Sequence, residues 1–168
     1  MSRAVRLVLL AVTAVLVQTT LFPSFRIAGV VPDVGLVAVV AVAYREGPDT
    51  GAVMGFGTGL LLDLFLETPV GLSALAFALT GYLVGVVQGG LIRSARWVAP
   101  LLGALGGLVG GLLFVAVGTL AGREDLLAWR SLRVVLIAAA YDALVSPVVF
   151  PVAGWAAREP QGAGGWRR

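Results

Sequence analysis

Apolar residues fill six long runs of the chain, and short segments with proline, glycine or charged residues separate these runs. A helix needs about 20 apolar residues to cross a bilayer, and most of the runs approach that length. We therefore predict one all-α bundle of six transmembrane helices within residues 1–158. The predicted spans are about 4–22, 30–44, 50–66, 70–92, 97–121 and 134–157. Residues 159–168 are polar and glycine-rich, and we expect them to form a disordered tail.

The first two runs each leave an alternative open. Arg3 and Arg6 precede the first run as they would in a signal peptide, but the run is long and lacks a small-residue cleavage site. We interpret it as an uncleaved helix. Pro32 and Asp33 open the second run, as such residues do at a helix start. Counted from Val34 the second run is short, which is compatible with a tilted or partly re-entrant helix.

The stretch from residue 47 to residue 85 predicts two helices joined by a short turn. Glycine recurs at every fourth position in both, so each helix has a strip of glycines along its surface. In hydrocarbon, small residues at this spacing let helix backbones approach closely. We predict that these strips and the acid that follows the first strip serve helix packing and partner docking. The predicted residues are Gly51, Gly55, Gly59, Asp63, Gly81 and Gly85.

Acidic residues inside apolar runs are costly, so each of them needs an explanation. Asp63 continues the first glycine strip, which favours a buried polar anchor over an acid that reaches water or caps a neighbouring helix. Asp142 lies near the middle of the sixth run, where an unpaired ionised carboxylate would cost several kcal/mol. A structural hydrogen bond and a functional role are both open for Asp142. We expect Asp33 to cap the second helix.

Charge distribution predicts the orientation of the bundle. The segments on the side of both termini hold eight arginines and the opposite segments hold four, which favours a cytoplasmic N-terminus and C-terminus. The loop 122–133 is expected to lie on the opposite surface, and Pro147 and Pro151 are expected to interrupt the sixth span. Acids and arginines near the outer side predict a polar network. Its predicted members are Asp33, Asp142, Glu67, Arg130 and Arg133.

Composition supports a membrane protein and excludes several functions. Of 168 residues, 59% are hydrophobic and 12% are charged, whereas soluble domains carry about 25% charged residues. Cys and His are absent, and we find no catalytic constellation, metal site or cofactor site. The glycines at 55–59 lie in an apolar run without the Lys-Ser/Thr sequel of a phosphate loop. The arginines flank apolar runs and are not interleaved with aromatics, which argues against nucleic-acid binding.

Three motifs follow one another along the chain. A Pro-Asp pair opens the second helix, a GxxxGxxxD element follows, and a Pro-x-Gly turn leads into an apolar helix with a Gly-Tyr pair. In this chain they are Pro32-Asp33, then Gly55, Gly59 and Asp63, then Pro69-Val70-Gly71 and Gly81-Tyr82. In this order they resemble the bacterial rod shape-determining protein MreD family.

The resemblance implies a small protein of the bacterial inner membrane without enzymatic activity. Such proteins act with the bitopic protein MreC and the actin-like MreB in the complex that guides peptidoglycan synthesis during cell elongation. The family is also similar in shape to the six-helix substrate-binding subunits of energy-coupling vitamin transporters. We expect a membrane scaffold that binds MreC and helps position cell-wall synthases. The alternatives are a substrate-binding subunit of a vitamin-type transporter and a proton-coupled carrier that uses Asp63 and Asp142.

Overall fold

The computed structural model describes residues 2–22, 29–65, 69–88, 97–123, 126 and 129–158. Within them the chain forms six α-helices, which confirms the predicted all-α class. The helices are α1 (Arg3–Thr20), α2 (Val34–Glu46), α3 (Pro48–Asp63), α4 (Leu72–Val87), α5 (Val98–Leu120) and α6 (Trp129–Ala157). Glu67 of the predicted polar network and the predicted tail at 159–168 lie outside the described residues.

Helix α2 is the centre of the bundle and packs against each of the other five helices. All its residues from Val34 to Tyr44 are buried. Valine, alanine and leucine occupy every side of this helix, and a helix that is apolar all round is stable where other elements enclose it. Its 13 residues span about 20 Å at 1.5 Å per residue. This is shorter than the hydrocarbon core of a bilayer, which is about 30 Å thick.

The outside of the bundle is apolar. Among the described residues, α1, α5 and α6 are long and apolar enough to cross a membrane, with 18, 23 and 29 residues. Helix α4 is equally apolar but has 16 residues. Large side chains such as Val53 and Leu144 are 75% and 72% exposed, and lipid is the surrounding that suits such a surface. The structure thus agrees with a membrane protein.

Helix α6 continues through Pro147 and Pro151 as one helix of 29 residues, so the predicted interruption is wrong. Pro147 has no N–H, and the carbonyl of Ala143 therefore lacks its helical partner. The Ser146 hydroxyl donates a hydrogen bond to that carbonyl at 2.9 Å. A neighbouring hydroxyl of this kind is what allows proline inside an apolar helix.

Candidate functional site

Helices α3 and α4 are in backbone contact along the predicted glycine strips. A Cβ built at Gly51 would lie 2.5 Å from the carbonyl oxygen of Gly81, and one at Gly55 would lie 2.6 Å from the carbonyl carbon of Phe77. Real Cβ atoms do not approach other atoms this closely. Gly59 and Gly85 are in the same position, against Ser73 and Pro48 respectively. The strips therefore lie inside the hairpin and are covered by the chain itself.

Asp63 joins the end of α3 to the start of α4. Its side chain is 2% exposed. One carboxylate oxygen accepts hydrogen bonds from the N–H groups of Gly71 and Ala74 at 2.8 and 3.2 Å, and the other accepts from Ser73 at 3.1 Å. These N–H groups lie at the first turn of α4, where no helical partner exists for them. Asp63 is thus both buried and a cap of the neighbouring helix, two roles that we had expected to exclude each other.

The opposite side of α3 is uncovered. Five residues spaced one to four positions apart share this face of the helix. They are Val53, Phe56, Gly57, Leu60 and Leu64. Val53, Phe56 and Leu64 are 75%, 53% and 68% exposed. A Cβ at Gly57 would have no atom within 4 Å. Sequence reasoning missed this face, although its spacing was readable, because the glycine strip on the other side carries the stronger pattern.

Asp33 and Asp142 meet where α2 begins. One oxygen of the Asp142 carboxylate accepts a hydrogen bond from the backbone N–H of Asp33 at 2.6 Å. Asp33 accepts from Leu36 N–H at 3.0 Å and so caps α2. The Gln18 side-chain oxygen accepts from Gly35 N–H at 2.9 Å. These contacts join α1, α2 and α6 through the free N–H groups of α2. Sequence reasoning missed Gln18, because a single polar residue near the end of an apolar run is a weak signal.

A cavity of about 490 Å³ adjoins this junction and receives side chains from all six helices. It extends from Asp142, which is 1% exposed, to Arg130, which is exposed. Within the described residues, the Oδ2 atom of Asp142 is buried and has no hydrogen-bond partner.

The predicted polar network forms only in part. Asp33 and Asp142 are in contact, but neither Arg130 nor Arg133 forms an ion pair with them in the described part of the chain. The reason is the start of α6 at Trp129. It sets Arg133 about 13 Å and Arg130 about 18 Å from Asp142 along the helix axis, at 1.5 Å per residue.

Arg3 and Arg6 make contacts at the other end of the bundle, where α1 begins and α2 and α6 end. Arg3 forms an ion pair with Glu46. Arg6 donates hydrogen bonds to the carbonyl oxygens of Trp155, at 3.4 Å, and Arg158. The Arg6 guanidinium also lies 5.8 Å from the centre of the Trp155 ring, in a cation–π arrangement. These contacts therefore lie opposite the buried acids.

Comparison with known proteins identifies the family. The model of the family described as rod shape-determining protein MreD matches residues 1–121, well over half of the 168 residues. The chain belongs to the MreD family. The resemblance drawn from the hairpin motifs is therefore confirmed, and the chain has a role in determining rod shape. No curated protein and no solved structure matches it.

The MreD match contains α1 to α5, and with them the whole α3–α4 hairpin and Asp33. Helix α6, with Asp142, Arg130 and Arg133, follows the last matched residue. MreD proteins are shape-determining structural proteins. In the described ranges, no three His, Cys, Asp or Glu residues are grouped as metal ligands.

Proposed function

We propose that this chain is a multi-pass scaffold of the bacterial inner membrane that binds the transmembrane helix of an MreC-type partner. Through that partner it would act with an MreB-type actin homologue and help position cell-wall synthases. The family supports the elongation complex as the setting. The uncovered face of α3 is the single observation that supports a docking surface best.

The uncovered face of α3 has a glycine between larger apolar side chains. Gly57 offers open space at the helix surface, and Phe56 and Leu60 flank it. In hydrocarbon there is no hydrophobic drive for helices to associate, so close backbone approach and good packing must provide the attraction. A partner helix could approach most closely at Gly57 and pack its side chains against Val53 and Leu64.

The buried side of the hairpin supports the docking face indirectly. Backbone contact at Gly51, Gly55 and Gly59 fixes α3 against α4, and the Asp63 carboxylate joins the end of α3 to the start of α4. A surface that is rigid before binding loses less entropy when the partner arrives. The predicted packing and docking roles of the hairpin would thus belong to its two opposite faces.

We further propose that all six helices cross or enter the bilayer, with both termini in the cytoplasm. The arginine contacts at the start of α1 and the end of α6 support this orientation, because arginines are enriched on the cytoplasmic side. The buried acids and the cavity would then lie toward the outer side. The short α2 needs no lipid contact of its own, since the other five helices enclose it.

The test is co-purification with MreC from membranes in mild detergent. Gly57→Leu places a large side chain at the proposed contact, and its Cβ would have no other atom within 4 Å. We expect it to reduce MreC recovery at least fivefold while the variant stays in the membrane. Ala140→Leu is the matched control, because Ala140 is an exposed small residue on α6. Equal MreC recovery with both variants would contradict the proposed face.

The transporter alternative has one observation in its favour, the cavity beside Asp142. A substrate-binding subunit would need such a cavity with polar and aromatic walls, and this one includes Phe77, Phe114 and Gln18. Its other walls are mainly glycine, valine and leucine, so we rank it second. Recovery of an ATPase pair and a coupling subunit in place of MreC would favour the transporter.

A further inference from the structure

The cavity beside Asp142 has the dimensions of a ligand site. Its volume of about 490 Å³ lies within the range of about 300–1,000 Å³ that small-molecule sites occupy. Phe77, Phe114 and Val135 line it with apolar surface, and Gly107 and Gly111 of α5 contribute no side chain that would fill it. Neither helix packing nor the proposed docking face on α3 uses this space.

At the buried end of the cavity, only one of the two carboxyl oxygens of Asp142 has a hydrogen-bond partner among the described residues. Asp142 Oδ1 accepts the N–H of Asp33, whereas Asp142 Oδ2 is buried and has no partner among the described residues. A buried polar atom that lacks a hydrogen bond is costly, and satisfying it with a donor recovers that cost. The atom lies against Gly107 of α5, which also lines the cavity. A ligand with a donor at one end would complete this site.

The acidic residues beside the cavity indicate which hydrogen-bond donor a ligand would carry. Asp33 and Asp142 place two carboxyl groups side by side, and in the described ranges neither Arg130 nor Arg133 pairs with them. Arg130 is too distant, at about 18 Å along the axis of α6. A cationic donor favours the ionised form of both carboxyl groups and pairs with it, whereas a neutral donor does not and an anionic ligand would be repelled by it. We propose that the cavity binds one small, largely apolar molecule that carries a primary ammonium group, which donates a hydrogen bond to Asp142 Oδ2.

The experiment uses the full chain in lipid nanodiscs and hexylamine as the probe. Binding is followed by saturation-transfer difference NMR, with empty nanodiscs as background and with 1-hexanol and hexanoate as matched probes. Asp142→Asn retains an acceptor for Asp33 N–H but replaces the other oxygen with a donor, so it should fold. We expect it to weaken hexylamine binding at least tenfold. Wild type should bind hexanol at least tenfold more weakly than hexylamine and hexanoate not at all.

A matched pair on α6 tests the cavity itself and does not depend on how Asp142→Asn folds. Ala138 lines the cavity, and Ala140 is exposed on the outside of the same helix. Ala138→Phe should abolish hexylamine binding, and Ala140→Phe should leave it unchanged, with circular dichroism confirming helix content in both. Hexylamine binding that persists in Ala138→Phe would overturn the proposal, as would equal binding of hexylamine and hexanol to the wild type.

Discussion

Removal of the Asp63 carboxylate should weaken the hairpin more than any other single loss of charge in the described chain. Asp63→Ala deletes three hydrogen bonds to backbone N–H groups at the start of α4. A hydrogen bond contributes about 1–1.5 kcal/mol, so three of them predict a loss of about 3–5 kcal/mol in the free energy of unfolding. The lower end allows for water that reaches the freed N–H groups.

Two further variants separate the cap from the charge. Asp63→Asn keeps one acceptor oxygen, so we expect a smaller loss of about 1.5–3 kcal/mol. Asp49→Ala removes an exposed acid from the first turn of α3, where only the helix dipole is affected and about 1 kcal/mol is the upper limit. The predicted order of stability is wild type, Asp49→Ala, Asp63→Asn and then Asp63→Ala.

The assay is equilibrium unfolding in mixed detergent and SDS micelles, followed by far-ultraviolet circular dichroism and tryptophan fluorescence. Both signals should give the same midpoint if unfolding has two states. A loss in Asp63→Ala no larger than that in Asp49→Ala would refute the assignment of Asp63 as the cap of α4. The docking hypothesis would then also lose one of its supports, the link between the end of α3 and the start of α4.

The remaining predictions concern packing inside the bundle. Gly55→Ala would place a methyl group against the backbone of Phe77. We expect it to lower the free energy of unfolding by about 1–3 kcal/mol. The control is Gly57→Ala on the same helix, where the new methyl group meets no atom within 4 Å. It should be neutral or slightly stabilising, because alanine favours helix over glycine. Equal losses of stability in both variants would contradict the close contact between Gly55 and Phe77. Ser146→Ala frees the carbonyl of Ala143 beside Pro147 and should cost about 1 kcal/mol. No change in its unfolding midpoint would show that another group satisfies this carbonyl.

Much of the fold was readable because apolar periodicity and glycine spacing are local properties of the sequence. The six helices and the facing glycines of α3 and α4 followed from them. The uninterrupted α6 did not, because the outcome depends on one hydrogen bond from Ser146 that replaces what Pro147 removes. Sequence spacing shows where a proline lies but not whether a nearby hydroxyl adopts the geometry that compensates for it.

The junction at the start of α2 was harder to predict. Asp33 was expected to cap its own helix, which is a local interaction, and it does so. Its contact with Asp142 joins residues that are 109 positions apart. The contact of Gln18 with Gly35 likewise depends on how α1 and α2 are arranged in space. In the described part of the chain Arg130 forms no ion pair with these acids, and its distance from them likewise depends on where α6 starts.

The central claim is that the uncovered face of α3 contacts the transmembrane helix of an MreC-type partner. A photo-crosslinking amino acid at Phe56 in living cells tests it most directly, with the same amino acid at Leu144 on α6 as the control. Both positions are exposed, at 53% and 72%. We predict a crosslink to MreC from position 56 and none from position 144. A crosslink from position 144 alone, or none from position 56 in membranes that contain MreC, would contradict the claim.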